Sequence, residues 1–502
     1  MDFLADLLPN LTLGFTTVIS PTNLFYCFTG VLVGTVIGVL PGIGPLAAMS
    51  MLLPITFTLP PIGALIMLAG IYYGAMYGGA ITSILLNMPG EASHVVTCLD
   101  GHQLALKGRA GPSLAIAAIA SFFGGTVGAI VIVLAGPPLA GMALSFAAPE
   151  YFSLMLMGLI AAAALGQGSP MKAIAMVVLG LLLGLVGSDV NTGLPRFTFG
   201  ILGLNDGISF VVVAMGLFGI TEIAHNLEQS DEDRHQVIRN IKGIWPTRSD
   251  FKVAAKPALR GTALGSLFGA LPGAGATIAA FSSYALEKKI AKDPSRFGKG
   301  AIEGIAGPES ANNAAAQCAF IPTLTLGIPG SVAMALVLGV LTIHGITPGP
   351  LIMTQQPDLF WGLIVSMWVG NIMLLILNLP MVGVWARLLM VPYRLLLPAI
   401  VMCMTIGVYS VNNNALGVYL TVAFGLLGYL FVKLRCEPAP LILAFVLGPL
   451  MEEHLRRALL ISRGDAMVFV ERPISAAFLL LTVIILVLML RPRRAKPAPA
   501  ET

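Results

Sequence analysis

The stretch Gly34-Thr-Val-Ile-Gly38-Val-Leu-Pro41-Gly42-Ile-Gly44-Pro45 lies in an apolar run, yet it cannot be a continuous helix. Proline lacks the amide donor that a helix interior needs, and glycine favours departure from helical geometry. A second stretch repeats the pattern: Gly261-Thr-Ala-Leu-Gly265-Ser-Leu-Phe-Gly-Ala-Leu-Pro272-Gly273-Ala-Gly275-Ala276-Thr277. Each is followed by a further break, Leu86-Asn87-Met88-Pro89-Gly90 in the first half and Leu326-Gly327-Ile328-Pro329-Gly330 in the second. Helix interrupters at corresponding positions of two halves point to a transporter site near the membrane midplane.

The surroundings of these breaks fix the solvent. The chain has 502 residues, of which 57% are hydrophobic and only 10% charged. Apolar runs such as Leu114–Leu134, Leu363–Leu379 and Ile474–Leu490 approach the ~20 residues that a bilayer span requires, and they do not alternate as barrel strands would. The expected fold is an all-α polytopic membrane protein of roughly ten to twelve transmembrane helices. Its two repeats are expected to contain broken helices or re-entrant hairpins. The Met1–Asp6 segment has no basic region and does not read as a secretory signal. The five cysteines are scattered, without ligand or disulfide spacing, and the formal charge of +4 arises from loops and does not suggest nucleic acid.

Lys and Arg are absent from Met1 to Leu106 and from Gly300 to Ala386. After the first break, half one has the uncharged Thr56–Ile62, whereas half two has the basic Lys288–Lys299. After the second break the bias reverses: Lys107 and Arg109 stand in half one, and Thr342–Pro350 has no Lys or Arg. Basic loops favour the cytoplasm, so equivalent loops of opposite bias imply halves of opposite orientation. Two parallel repeats with incidental charge differences are the alternative. The organisation expected is an interfacial segment 1–22, a first repeat 23–225, a cytoplasmic linker 226–260, a second repeat 261–435 and a C-terminal membrane segment with basic tail, 436–502.

Unwound backbone in lipid must be buried in protein or face a water-filled cavity. One reading makes carbonyls around Pro41, Gly42, Gly44, Pro272, Gly273 and Gly275 a site for a coupling cation, Na+ being the metal it would suit. Substrate would then meet Asn87, Pro89, Gly90, Thr277, Asn312, Asn313, Pro329, Gly330 and Ser331, through amides, hydroxyls and half-helix N-termini. The plainer reading is kinks, small-residue packing, capping hydroxyls and helix–helix hydrogen bonds. His94 and His102 lack a third ligand, so no transition-metal site is expected. There is no Walker lysine motif and no convincing nucleophile–base pair, so neither an ATPase nor an enzyme is expected, and no cofactor beyond a coupling Na+ or H+.

Four stretches together resemble a known family: Gly38–Pro45, Ser83-Ile-Leu-Leu-Asn-Met-Pro-Gly90, Asp100-Gly-His-Gln-Leu-Ala-Leu-Lys-Gly-Arg109, and Pro308-Glu-Ser-Ala-Asn-Asn313 with Leu326–Gly330. They look like the large membrane subunit of tripartite tricarboxylate transporters, and the resemblance covers about residues 15–480. It implies a small four-helix membrane subunit and a periplasmic solute-binding protein as partners, a lipid bilayer setting and the bacterial inner membrane. It further implies an ion gradient as the energy source and uptake of an organic carboxylate such as citrate. A passive anion channel, or a permease for another organic acid, is the alternative function.

Overall fold

The computed structural model describes residues 3–40, 44–165, 169–189, 192–228, 241, 243–271, 275–389, 393–412 and 414–490. The fold is helical. Among the described residues the only strands are a two-residue pairing of Gly187–Ser188 with Pro195–Arg196. Among the described residues, six helices are long and apolar enough to cross a bilayer: Pro21–Val39, Pro61–Leu86, Ala105–Ala143, Pro357–Asn378, Ala415–Lys433 and Pro473–Leu490. Apolar helices too short to span alone stand among them, including Pro45–Thr56 and Val332–Ile343.

The short helices arise at the breaks. Pro21–Val39 ends on an extended Leu40 (φ −76°, ψ 118°), and Arg248–Ala270 ends the same way on Leu271 (φ −91°, ψ 125°). After each gap a shorter helix follows, Pro45–Thr56 in half one and Gly275–Ile290 in half two.

Glycine contacts give the directions of the long helices. A Cβ on Gly30, Gly34 or Gly38 would collide with the carbonyl oxygens of Met67, Ile71 and Ala75 in turn. The contacts ascend together, so Pro21–Val39 and Pro61–Leu86 run parallel. Gly261, Gly265 and Gly269 meet the carbonyls of Gly307, Ala311 and Ala315 in the same ascending order, so Arg248–Ala270 and Glu303–Cys318 are also parallel. Two parallel neighbours need a return path, and the short helix between them supplies it. Each half thus begins with a re-entrant hairpin. Glycine at every fourth position is what allows the backbones so close.

The halves are inverted. Pro357–Asn378 runs with Pro61–Leu86, because Gly362 lies beside Ile62 and Asn371 accepts a hydrogen bond from Tyr77 Oη at 2.6 Å. It runs against Ala110–Ala143, where Gly125 meets Asn371 and Gly136 meets Phe360. Ala110–Ala143 in turn runs with Glu303–Cys318, through Gly124 at Ser310 and Gly128 at Ala314. The paired helices of half one therefore oppose those of half two.

The basic loops converge on one face. Lys107 Nζ donates to the Lys299 carbonyl at 2.5 Å, and Arg109 pairs with Asp250 at 2.6 Å. Asp250 also completes a capping box with Thr247 at the start of Arg248–Ala270, a helix whose first turns fall within 226–260. The stretch Glu452–Arg472 lies at the opposite face. Helix Ala439–Ile461 leads there; its Arg456 pairs with Asp189, just after the first strand, at 2.8 Å, and its Glu452 with Arg196 of the second strand at 2.8 Å. Arg457 pairs with Glu453, and Arg472 with Glu150, so these arginines carry local counter-charges.

Candidate functional site

The second breaks of the two halves share one geometry. Helix Pro61–Leu86 stops on a left-handed Asn87 (φ 58°, ψ 28°), and Phe320–Leu326 stops on a left-handed Gly327 (φ 71°, ψ 21°). Asn and Gly are the residues that tolerate this conformation at a helix end. Four residues on, Glu91 (φ −153°, ψ 175°) and Ser331 (φ −156°, ψ 171°) both turn extended and open the next helical segment. Ser331 Oγ caps Val332–Ile343 by accepting from the Met334 amide at 3.4 Å.

All four breaks contribute to a single cavity of about 610 Å³. Its wall takes Gly44–Ala47 and Gly275–Ile278 from the hairpin tips, and Glu91–Ala92 and Ser331–Ala333 from the second breaks. Tyr72 and Met76 form part of the floor. Phe281 and Ser282 extend the wall along the helix that runs from its tip toward the basic face. Glu222 and the exposed Glu437 also line it. Three carboxylates, Glu91, Glu222 and Glu437, line it, and among the described lining residues there is no Lys or Arg.

The expected site residues divide. Gly44, Gly275, Thr277 and Ser331 line the cavity. Pro41, Gly42, Pro272 and Gly273 lie outside the described residues. Asn87 and Pro89 are exposed and do not reach the wall, and Gly90 is buried against Gly79. Pro329 and Gly330 are buried behind Ser331. Asn312 and Asn313 are buried as well, but they face elsewhere: the Asn312 amide contacts His94 Nε2 at 3.2 Å, and Asn313 Nδ2 donates to the Glu309 carbonyl at 3.0 Å.

Those two amides belong to a polar seam between the halves. Thr97 Oγ1 donates to Glu309 Oε1 at 2.6 Å, and Ser121 Oγ to Glu309 Oε2 at 3.2 Å. Ser93 Oγ donates to Glu91, which joins the seam to the cavity wall. Toward the basic face, Asp100 Oδ1 accepts from the amides of Gly298 (2.9 Å), Gly300 (2.7 Å) and Ala301 (2.7 Å), while Oδ2 accepts from Tyr284 Oη at 2.9 Å. Sequence reasoning passed over Tyr72 and gave Glu91 no role. Glu91 was accessible to it, because it directly follows Pro89-Gly90 just as Ser331 follows Pro329-Gly330.

The family model of the tripartite tricarboxylate transporter TctA family matches residues 24–443. The chain belongs to that family. The TctA match spans both hairpins, both second breaks and the seam. Two relatives come from Agrobacterium vitis. One is an uncharacterized 52.8 kDa protein in the TAR-I ttuC' 3'region, 55% identical over 97% of each chain. The other, an uncharacterized protein in the TAR-II ttuC' 3'region, is 59% identical over 45% of this chain and 94% of its own. No solved structure matches. As a TctA-family member with many apolar helices, the chain is a multi-pass membrane protein of a transporter family.

Proposed function

We propose that this chain is the large transmembrane subunit of a binding-protein-dependent secondary transporter that imports a di- or tricarboxylate of the citrate class. It works in the bacterial inner membrane with a small four-helix membrane subunit and a periplasmic solute-binding protein, and cation movement drives it. The observation that carries this reading is the convergence of all four helix breaks on one cavity of about 610 Å³. Broken helices bring both signs of partial charge to such a site, with amides at the half-helix N-termini and carbonyls at the ends that precede them. Thr277 and Ser331 add hydroxyl donors for a carboxylate.

Cation coupling is part of the same proposal. A substrate carrying two or three negative charges would enter a space whose described lining residues include Glu91 and no Lys or Arg. Helix N-termini offset part of the substrate's charge, and a co-bound cation or proton would offset more of it. Gly44 and Gly275, at the tips, are the described positions that would offer carbonyls to a cation.

The test is counterflow of labelled citrate in liposomes holding all three components, with sodium and pH varied separately. Exchange accelerated by unlabelled citrate on the far side is the expected result. Flux that ignores trans substrate would identify a channel and end the proposal.

A further inference from the structure

The seam contains a carboxyl that the binding cavity does not use. Glu309 is 1% exposed and sits at the middle of Glu303–Cys318 in half two. Its two oxygens touch hydroxyls of half one only, Thr97 and Ser121. No Lys or Arg pairs with it among the described residues. Of the groups facing it from neighbouring elements, Tyr77, Glu91 and Cys98 are neutral or acidic. His94 has its Nε2 on the Asn312 amide, and Asp100 is held by the 298–301 amides. Ala110–Ala143 and Phe320–Leu326 bring no titratable group, and the Arg260 guanidinium is engaged with Glu287. An ionised carboxylate in such a place, at membrane depth and without a cation, is strongly disfavoured.

Two ligands would neutralise it, a metal cation or a proton. Sodium needs a shell of oxygens. Here both carboxyl oxygens are already in hydrogen-bond contact with hydroxyls, and the small void adjoining Ser121 has room for about 10 Å³, lined by Tyr77, Leu114 and Asn378 among mainly apolar neighbours. A proton needs no room. The carboxylic acid it creates can donate to one hydroxyl and accept from the other.

We propose that Glu309 is the proton-carrying group of this transporter. It holds one proton when the halves are closed upon it, and it exchanges that proton when the seam between Thr97, Ser121 and Glu309 opens to one side. Proton binding thereby becomes linked to movement of one half against the other. The proposal rests on the transport reading above and adds the identity of the coupling ion and its residue.

Two measurements test it in the full chain. In bilayers at neutral pH, the infrared carbonyl stretch of a carboxylic acid should be present in the native protein and absent from E309Q; an unchanged acid band in E309Q overturns the assignment. In liposomes with the partner components, an inward proton gradient at equal sodium should drive citrate accumulation by the native protein. E309Q should exchange citrate without accumulating it, and E309D should recover part of the accumulation. Native counterflow with accumulation indifferent to the proton gradient refutes proton coupling while leaving the transport reading standing. Absence of any native counterflow sinks the transport reading itself, whereas the infrared result still judges Glu309.

Discussion

At the scale of single residues, identity at the breaks is set by backbone shape before it is set by ligand chemistry. Asn87 looked like a substrate amide because it stands beside Pro89-Gly90. Its counterpart is Gly327, which has no side chain, and both adopt the left-handed conformation that ends a helix. Asn is there because it tolerates that conformation. Asn312 and Asn313 were legible as buried polar residues needing partners, but the residue types alone do not say which face of a helix they occupy. Close-approach glycines give a sharper forecast. Gly265→Ala puts a methyl into the Ala311 carbonyl, so it should destabilise the protein by about 1–3 kcal/mol or more. Gly141→Ala has nothing within 4 Å and should be neutral or stabilising by about 0.5–1 kcal/mol. Thermal unfolding of the purified protein in detergent separates the two, and equal midpoints would refute the packing argument.

At the scale of elements, the breaks themselves were fully legible. Proline and glycine within apolar runs forbid continuous helix, and in lipid this leaves few alternatives to a hairpin or a lined cavity. The sequence left open whether the first broken pair is a broken helix or a re-entrant hairpin, because direction depends on which helices pack together. The Asp100 clamp is another element-level feature, joining the segment after the second break of half one to the loop before Glu303–Cys318. Asp100→Ala removes the acceptor of three amides and the Tyr284 hydroxyl. It should lower stability by about 3 kcal/mol or more. Asp100→Asn, which keeps one acceptor oxygen, should lose less. Limited proteolysis should then cut the 293–301 loop faster in the alanine variant than in the asparagine variant; equal cutting of both and of the native protein would show that the clamp does not hold the loop.

At the scale of the whole molecule, the inverted halves give a topology that can be checked. The face carrying Lys107, Arg109 and Lys299 should be cytoplasmic, since basic loops favour that side. Arg463 should be outside. An impermeant maleimide should therefore label Arg463→Cys in intact cells and reach Lys299→Cys only after the cells are opened. The reverse pattern would turn the molecule over. Composition and the broken runs were enough by themselves to determine a polytopic helical protein, and the charge reversal between equivalent loops favoured opposed over parallel repeats, because span length and loop charge are local properties of the chain. Which side chains share the cavity was decided only by tertiary structure. Four tips far apart in sequence meet through glycine-mediated helix packing, and that packing turns Thr277 and Ser331 toward the space while turning Asn312 and Asn313 into the seam. A residue's type states what bonds it needs, and the fold alone states which neighbour supplies them.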